Sequence, residues 1–141
     1  MTKVSIDTII RDRLKRPSHK ELTGKIRQAR RAVSKGEINI VEPASISADA
    51  LDLDYLVDDL PDVLSEILEE IKPDDYTGKK PPERSYEDKI KDTELFAFKW
   101  ASKRFGCELY LKFTLKDGVL WLVSFHLHRE IKGEENGKKA D

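Results

Sequence analysis

Apolar residues recur along this chain at two periods, and the change from one to the other divides it. Over residues 5 to 15, Ile6, Ile9, Ile10 and Leu14 fall at helical spacing until Pro17 stops the run, which predicts a short amphipathic helix. A second helix is predicted from Ser18. Ser18-His19-Lys20-Glu21 has the S-x-x-E form of a capping box, Leu22, Ile26, Ala29 and Val33 make an apolar stripe, and Gly36 suits the C-terminal cap. Ile38 to Val41 fits a short strand, and Ser47 fits the cap of a brief helical turn through Leu51. The third main helix starts near Pro61, with Leu60, Leu64, Ile67, Leu68 and Ile71 on one face and Pro73 just past its end.

From Pro73 to Asp92 the periodicity vanishes into prolines, charges and scattered tyrosines, a loop length usually reserved for function or disorder. Beyond it the period becomes 2. Phe96, Phe98 and Trp100 alternate with Leu95, Ala97 and Lys99, and Leu109, Leu111, Phe113 and Leu115 alternate with Glu108, Tyr110, Lys112 and Thr114. Val119, Trp121, Val123, Phe125 and Leu127 alternate with Leu120, Leu122, Ser124, His126 and His128. Three strands are predicted. Parity decides for Lys116-Asp117-Gly118 as a three-residue loop, which opposes Leu115 with Val119, Phe113 with Trp121, Leu111 with Val123 and Leu109 with Phe125. A two-residue Asp117-Gly118 turn would set core residues opposite solvent-facing ones. The fold class expected is α+β, a small antiparallel sheet of three to four strands flanked by N-terminal helices. A single domain over 18–131 would follow a basic helical extension at 1–17 and precede a flexible tail at 132–141.

Composition adds that the core is thin. The chain has 141 residues with 38% hydrophobic and 38% charged, against the usual charged share of about 25%. One cysteine, Cys107, excludes an internal disulfide and falls in the core parity of its strand, as an inert thiol would. No apolar run reaches the roughly 18 to 20 residues of a membrane span, so the expectation is a soluble, cytoplasmic protein without a membrane partner. The formal net charge of −1 conceals a division: 11 basic against 3 acidic residues in 1–36, then 1 against 13 in 37–75, then 14 against 11 in 76–141. Either the basic and acidic segments neutralise each other by packing, or the basic arm meets an anionic partner.

The same register gathers chemistry on the other sheet face. It pairs Tyr110 with Ser124, Lys112 with Leu122 and Glu108 with His126, with His128 about 7 Å further along the strand. Lys99 would join from the preceding strand, with Lys103 and Arg104 in the loop between. Metal-free RNA cleavage needs a base for the 2′-hydroxyl, an acid for the leaving 5′-oxygen and cations for the crowded oxyanion. His126 suits acid or base, His128 or Tyr110 the second proton carrier, and Lys112 with Arg104 the phosphate clamp. Zinc through the His126–His128 pair lacks an evident third ligand, so neither a metal nor a cofactor is expected. Each of these side chains also has an ordinary use: solvated lysines, a histidine pair under a partner, and a tyrosine packed on Leu122.

The order of motifs resembles the MqsR family of bacterial toxins, mRNA interferases of the broader RelE-like class. The likeness runs over about residues 25 to 129. Ala29 to Gly36, ARRAVSKG, is similar to the family's helix ending in glycine, Ala50-Leu51-Asp52-Leu53-Asp54 to its A-L-x-L-D segment, and Asp75-Tyr76 to its D-F-Y. Leu109-Tyr110-Leu111-Lys112 is similar to its V-Y-L-K strand and Val123-Ser124-Phe125 to its V-S-F ending. The resemblance implies an endoribonuclease acting on mRNA, free or on the ribosome, and a cognate antitoxin that blocks it. It implies that Tyr110 is an active-site residue and that His126 stands where family members carry a lysine. The family lysine after D-F-Y is Thr77 here, with Lys79 and Lys80 close by as substrate-binding candidates, and the family's active-site glutamine is unmatched around Phe96 to Trp100. Two other functions fit the residues. One is a non-catalytic module docking a protein on the same sheet face, favoured by Leu120 and Leu122 beside the site; the other is a regulatory nucleic-acid binder using residues 1–36.

Overall fold

The computed structural model describes residues 16–128; the helix expected over 5–15 and the tail lie outside the described residues. Helix α1 (His19–Ser34) begins at the expected cap, where the Glu21 N–H donates to Ser18 Oγ at 3.0 Å. The box closes only on that side, because the Glu21 carboxylate turns to the Arg16 guanidinium, which also reaches Glu94. Arg16 holds the Glu21 carboxyl below its ordinary range. Gly36 takes the left-handed conformation just past the helix, at φ +71°.

Strand β1 (Ile38–Ile40) follows, then α2 (Pro43–Leu53) and α3 (Leu60–Glu70), then β2 (Phe96–Ser102), β3 (Cys107–Lys116) and β4 (Val119–Leu127). Helix α2 is longer than the turn expected from Ser47, because Pro43 occupies its first turn and supplies the start that Ser47 was expected to mark. The sheet order is β1-β4-β3-β2. Its three long strands are antiparallel, but β1 runs parallel to β4, pairing Ile38 with Leu120 and Ile40 with Leu122, so the four-stranded sheet is mixed. Reaching β4 from the far end of the chain through two helices is what permits that parallel pairing.

All three helices contribute to a single core on one sheet face. Ile26, Ala29 and Val33 of α1, Ile46 of α2, and Leu64, Ile67 and Leu68 of α3 meet Phe98, Leu111, Phe113, Leu122 and Phe125. Each such leucine or isoleucine, fully buried, contributes about 1.5–3 kcal/mol. The segments of opposite charge do pack together. Arg30 donates to the Leu68 carbonyl at 2.9 Å, satisfying an orphan acceptor near the end of α3, and lies 3.6 Å from Glu69.

The terminal hairpin departs from the expected register. The turn is the two-residue Asp117-Gly118, with φ of 54° and 78°, and it pairs Lys116 with Val119, Leu115 with Leu120, Thr114 with Trp121 and Phe113 with Leu122. Those positive angles match the right-handed twist of the strands, which a three-residue loop needs a bulge to achieve. The parity conflict is resolved further along by a bulge in β4. Val123 has no partner, and beyond it Lys112 pairs with Ser124, Leu111 with Phe125, Tyr110 with His126 and Leu109 with Leu127. Leu120 and Leu122 therefore belong to the core, each 0% exposed, not to the open face.

Candidate functional site

The bulge decides what shares the open face. Had β4 continued from its first half unbroken, Phe125 would have left the core and His126 would have entered it. With Val123 inserted, Ser124, His126 and His128 emerge on the side of Tyr110 and Lys112. Lys99 stands across from Tyr110 on β2, and Ala97 across from Lys112. A row Lys99–Tyr110–His126 thus crosses three strands, with Lys112 and Ser124 in the row beside it. Tyr110 faces His126, not Ser124; Lys112 faces Ser124, not Leu122; and Glu108 lies level with His128, whose N–H donates to the Glu108 carbonyl at 2.9 Å.

The Tyr110 and His126 rings stack, with centroids 5.2 Å apart and planes at 24°. Such a pair adds about 0.5–1.5 kcal/mol beyond its buried area and holds both rings in one orientation. His126 Nδ1 lies 2.6 Å from the Leu127 carbonyl oxygen. A carbonyl only accepts, so Nδ1 carries the hydrogen, which in the neutral ring leaves Nε2 as the nitrogen able to take a proton. Burial first, and the Glu83 carboxylate second, push the Tyr110 phenol above its ordinary value. Tyr110 is therefore a protonated donor at neutral pH, stacked on an imidazole whose Nε2 is not engaged by the Leu127 carbonyl.

Glu83 comes from the long loop, which is ordered by specific contacts. The Thr77 N–H donates to the Ala97 carbonyl at 2.8 Å, extending the β2 edge, and the backbone at Arg84 pairs antiparallel with that at Glu94. Ser85 is 4% exposed and Ile90 is 0% exposed. The Thr114 hydroxyl donates to the Glu94 carbonyl, and Lys116 Nζ to the Lys89 carbonyl, which ties the loop to β3 on the open side. A groove of about 420 Å³ results between loop and sheet, bounded by Glu83 to Asp88, Leu95, Lys112 and Val123. These loop residues were missed by sequence reasoning. The segment has no period to read, although its length was a signal of function.

The remaining candidates lie elsewhere. The Arg104 guanidinium pairs with Glu66 of α3 and covers the Phe105 ring at 5.2 Å, so it is held toward the helical layer and does not join Lys112. Its backbone N–H donates to Glu70, whose carboxylate also accepts from Trp100 Nε1. Lys79 and Lys80 are exposed beyond the β2 edge. Tyr76 donates its hydroxyl to the Lys79 carbonyl, and burial first among several causes pushes its phenol up to about 12. Lys80 borders a separate hollow with Pro17, His19 and Tyr76. Cys107 is half-buried against the core, less enclosed than its expected parity implied.

Among the described residues no three His, Cys, Asp or Glu side chains are grouped to hold a metal ion, and no helix is long and apolar enough to cross a membrane. No protein-family model matches the sequence, and no curated protein matches it.

Proposed function

We propose that this protein is an endoribonuclease that cleaves mRNA without a metal, the toxin component of a toxin–antitoxin pair. The observation that carries the reading is the cross-strand stack of Tyr110 on His126, with Lys99 and Lys112 in the adjoining positions of one open face. His126 Nε2 takes the proton of the 2′-hydroxyl as that oxygen bonds to phosphorus. Tyr110 gives its proton to the 5′-oxygen as the P–O5′ bond breaks, leaving a 2′,3′-cyclic phosphate and a 5′-hydroxyl end. Lys99 and Lys112 offset the charge gathering on the phosphoryl oxygens. His128, level with Glu108, extends the row along the path of the chain being cut. The family resemblance supports Tyr110 in this role, and it supplies the expectation of an antitoxin partner in the cytoplasm.

The test is expression of the whole chain against Tyr110→Phe, Lys112→Ala and His126→Ala, with growth and RNA ends followed. Growth arrest and 5′-hydroxyl RNA ends for the wild type, with each substitution relieving both by about a hundredfold in cleavage rate, are the expected outcome. Equal harmlessness of all four proteins, each folded, refutes cleavage and leaves the face as a docking surface. Arg104→Ala is expected to cleave as the wild type does, since its guanidinium is engaged by Glu66.

A further inference from the structure

Tyr86 is 90% exposed, the most exposed of the large apolar or aromatic side chains among the described residues. A single exposed ring is ordinary on a folded protein. This one is unusual in how its backbone is held. Its neighbour Ser85 is buried, with its N–H donating to the Thr93 carbonyl at 2.9 Å, its carbonyl accepting from Asp92 at 2.9 Å, and its Oγ accepting from the Glu87 N–H at 3.0 Å. The Ile90 side chain anchors the far limb of the same loop at 0% exposure. Tyr86 is thus presented on a pinned backbone at the rim of the groove that reaches Lys112.

The rest of that rim is chemically distinctive. Glu83, Glu87 and Asp88 outnumber Arg84 and Lys112, so the groove disfavours a phosphate except at its Lys112 end. An aromatic face with carboxylate acceptors beside it suits a nucleobase: the ring stacks, and the carboxylates accept from exocyclic amino groups. Uracil has no exocyclic amino group; its one Watson–Crick donor, N3–H, is flanked by two carbonyl oxygens that the carboxylates repel, so it is held less well. The groove meets the open face at Lys112, which pairs with Ser124 in the row beside Tyr110 and His126.

We propose that the groove under the 83–88 loop is a base-binding subsite for single-stranded RNA, in which Tyr86 stacks on one base and Glu87 with Asp88 select bases bearing an amino group over uracil. The subsite rests on the nuclease reading for its biological use, but its binding can be measured without cleavage. The experiment uses the full-length chain carrying His126→Ala, with fluorescence anisotropy of end-labelled pentamers of adenylate, cytidylate and uridylate at fixed salt. Tyr86→Ala is expected to weaken the adenylate and cytidylate pentamers about tenfold, equivalent to about 1.4 kcal/mol, while Tyr86→Phe stays within about twofold. The uridylate pentamer binds less tightly than the other two, and Glu87→Ala with Asp88→Ala closes that gap. Affinity indifferent to Tyr86→Ala, or absence of binding by any pentamer, overturns the subsite even if the wild type cleaves RNA. Tyr86-dependent binding by a protein whose wild type leaves RNA intact supports the subsite and refutes the nuclease reading alone.

Discussion

Replacing Glu70 by Gln tests how the turn between β2 and β3 is held. Glu70 Oε1 accepts from the Trp100 indole N–H at 2.8 Å and Oε2 from the Arg104 N–H at 2.9 Å, so both carboxylate oxygens are engaged by donors. A glutamine keeps one acceptor and turns an amide donor toward the second donor. Either the indole N–H of Trp100, in a residue only 6% exposed, or the turn N–H is then left unmatched. A hydrogen bond to a charged group is worth about 1.5–3 kcal/mol, and an unmatched buried donor costs about 1–3 kcal/mol, so Glu70→Gln is expected to cost about 2–3 kcal/mol at neutral pH. Glu66→Gln removes only the exposed ion pair to Arg104 and is expected to cost less than about 1 kcal/mol. Burial pushes the Glu70 carboxyl up, but the bonds from Trp100, Arg104, Ser102 and Lys103 prevail and hold it below its ordinary value. Because the folded value is depressed, the stabilisation is present above the unfolded carboxyl pKa and is lost as pH falls through the folded one. Urea unfolding followed by tryptophan fluorescence at pH 7 and at pH 3 measures both effects. A Glu70→Gln protein as stable as Glu66→Gln at pH 7, or a deficit undiminished at pH 3, refutes the assignment.

Leu122→Ala is expected to cost about 2–5 kcal/mol in the same unfolding assay, because Leu122 is fully buried, whereas an unbroken alternation would leave it on the surface and the change near neutral. In a Cys107→Ser background, Thr114→Cys with Trp121→Cys should oxidise to a disulfide and Phe113→Cys with Trp121→Cys should not, as thiol titration would record, since 114 and 121 are the paired positions. Gly118→Ala should lower stability by about 1 kcal/mol, its φ of 78° being costly for a residue with a Cβ. Arg16→Ala should cost up to about 1 kcal/mol at neutral pH. With Glu21 depressed by Arg16, that difference shrinks as pH falls through the carboxylate range, and salt shrinks it too; a deficit constant from pH 7 to pH 3 would contradict the pairing.

The helices were readable because their signals are local. Ser18 caps α1 by reaching three residues along its own chain, and the stripe from Leu22 to Val33 needs only the helical period to define a buried side. The α+β class and the strands likewise follow from the change of period near Phe96. Register was different. In β4 both parities are apolar, Val119 and Trp121 in one and Leu120 and Leu122 in the other, so alternation has no preference, and only packing against the core chose the leucines. That choice required the Val123 bulge to return Phe125 to the core, and the bulge is what set His126 on Tyr110. Arg104 similarly reads as a cation near the sheet until α3 places Glu66 beside it. The 76–92 segment has no repeating pattern because each buried position in it, such as Ser85 or Ile90, answers to a different neighbour brought up by the fold. Composition and periodicity along the chain determined which elements form and that a histidine, a tyrosine and lysines were available. Which of them meet depended on contacts between residues far apart in sequence, whose energies no local pattern encodes.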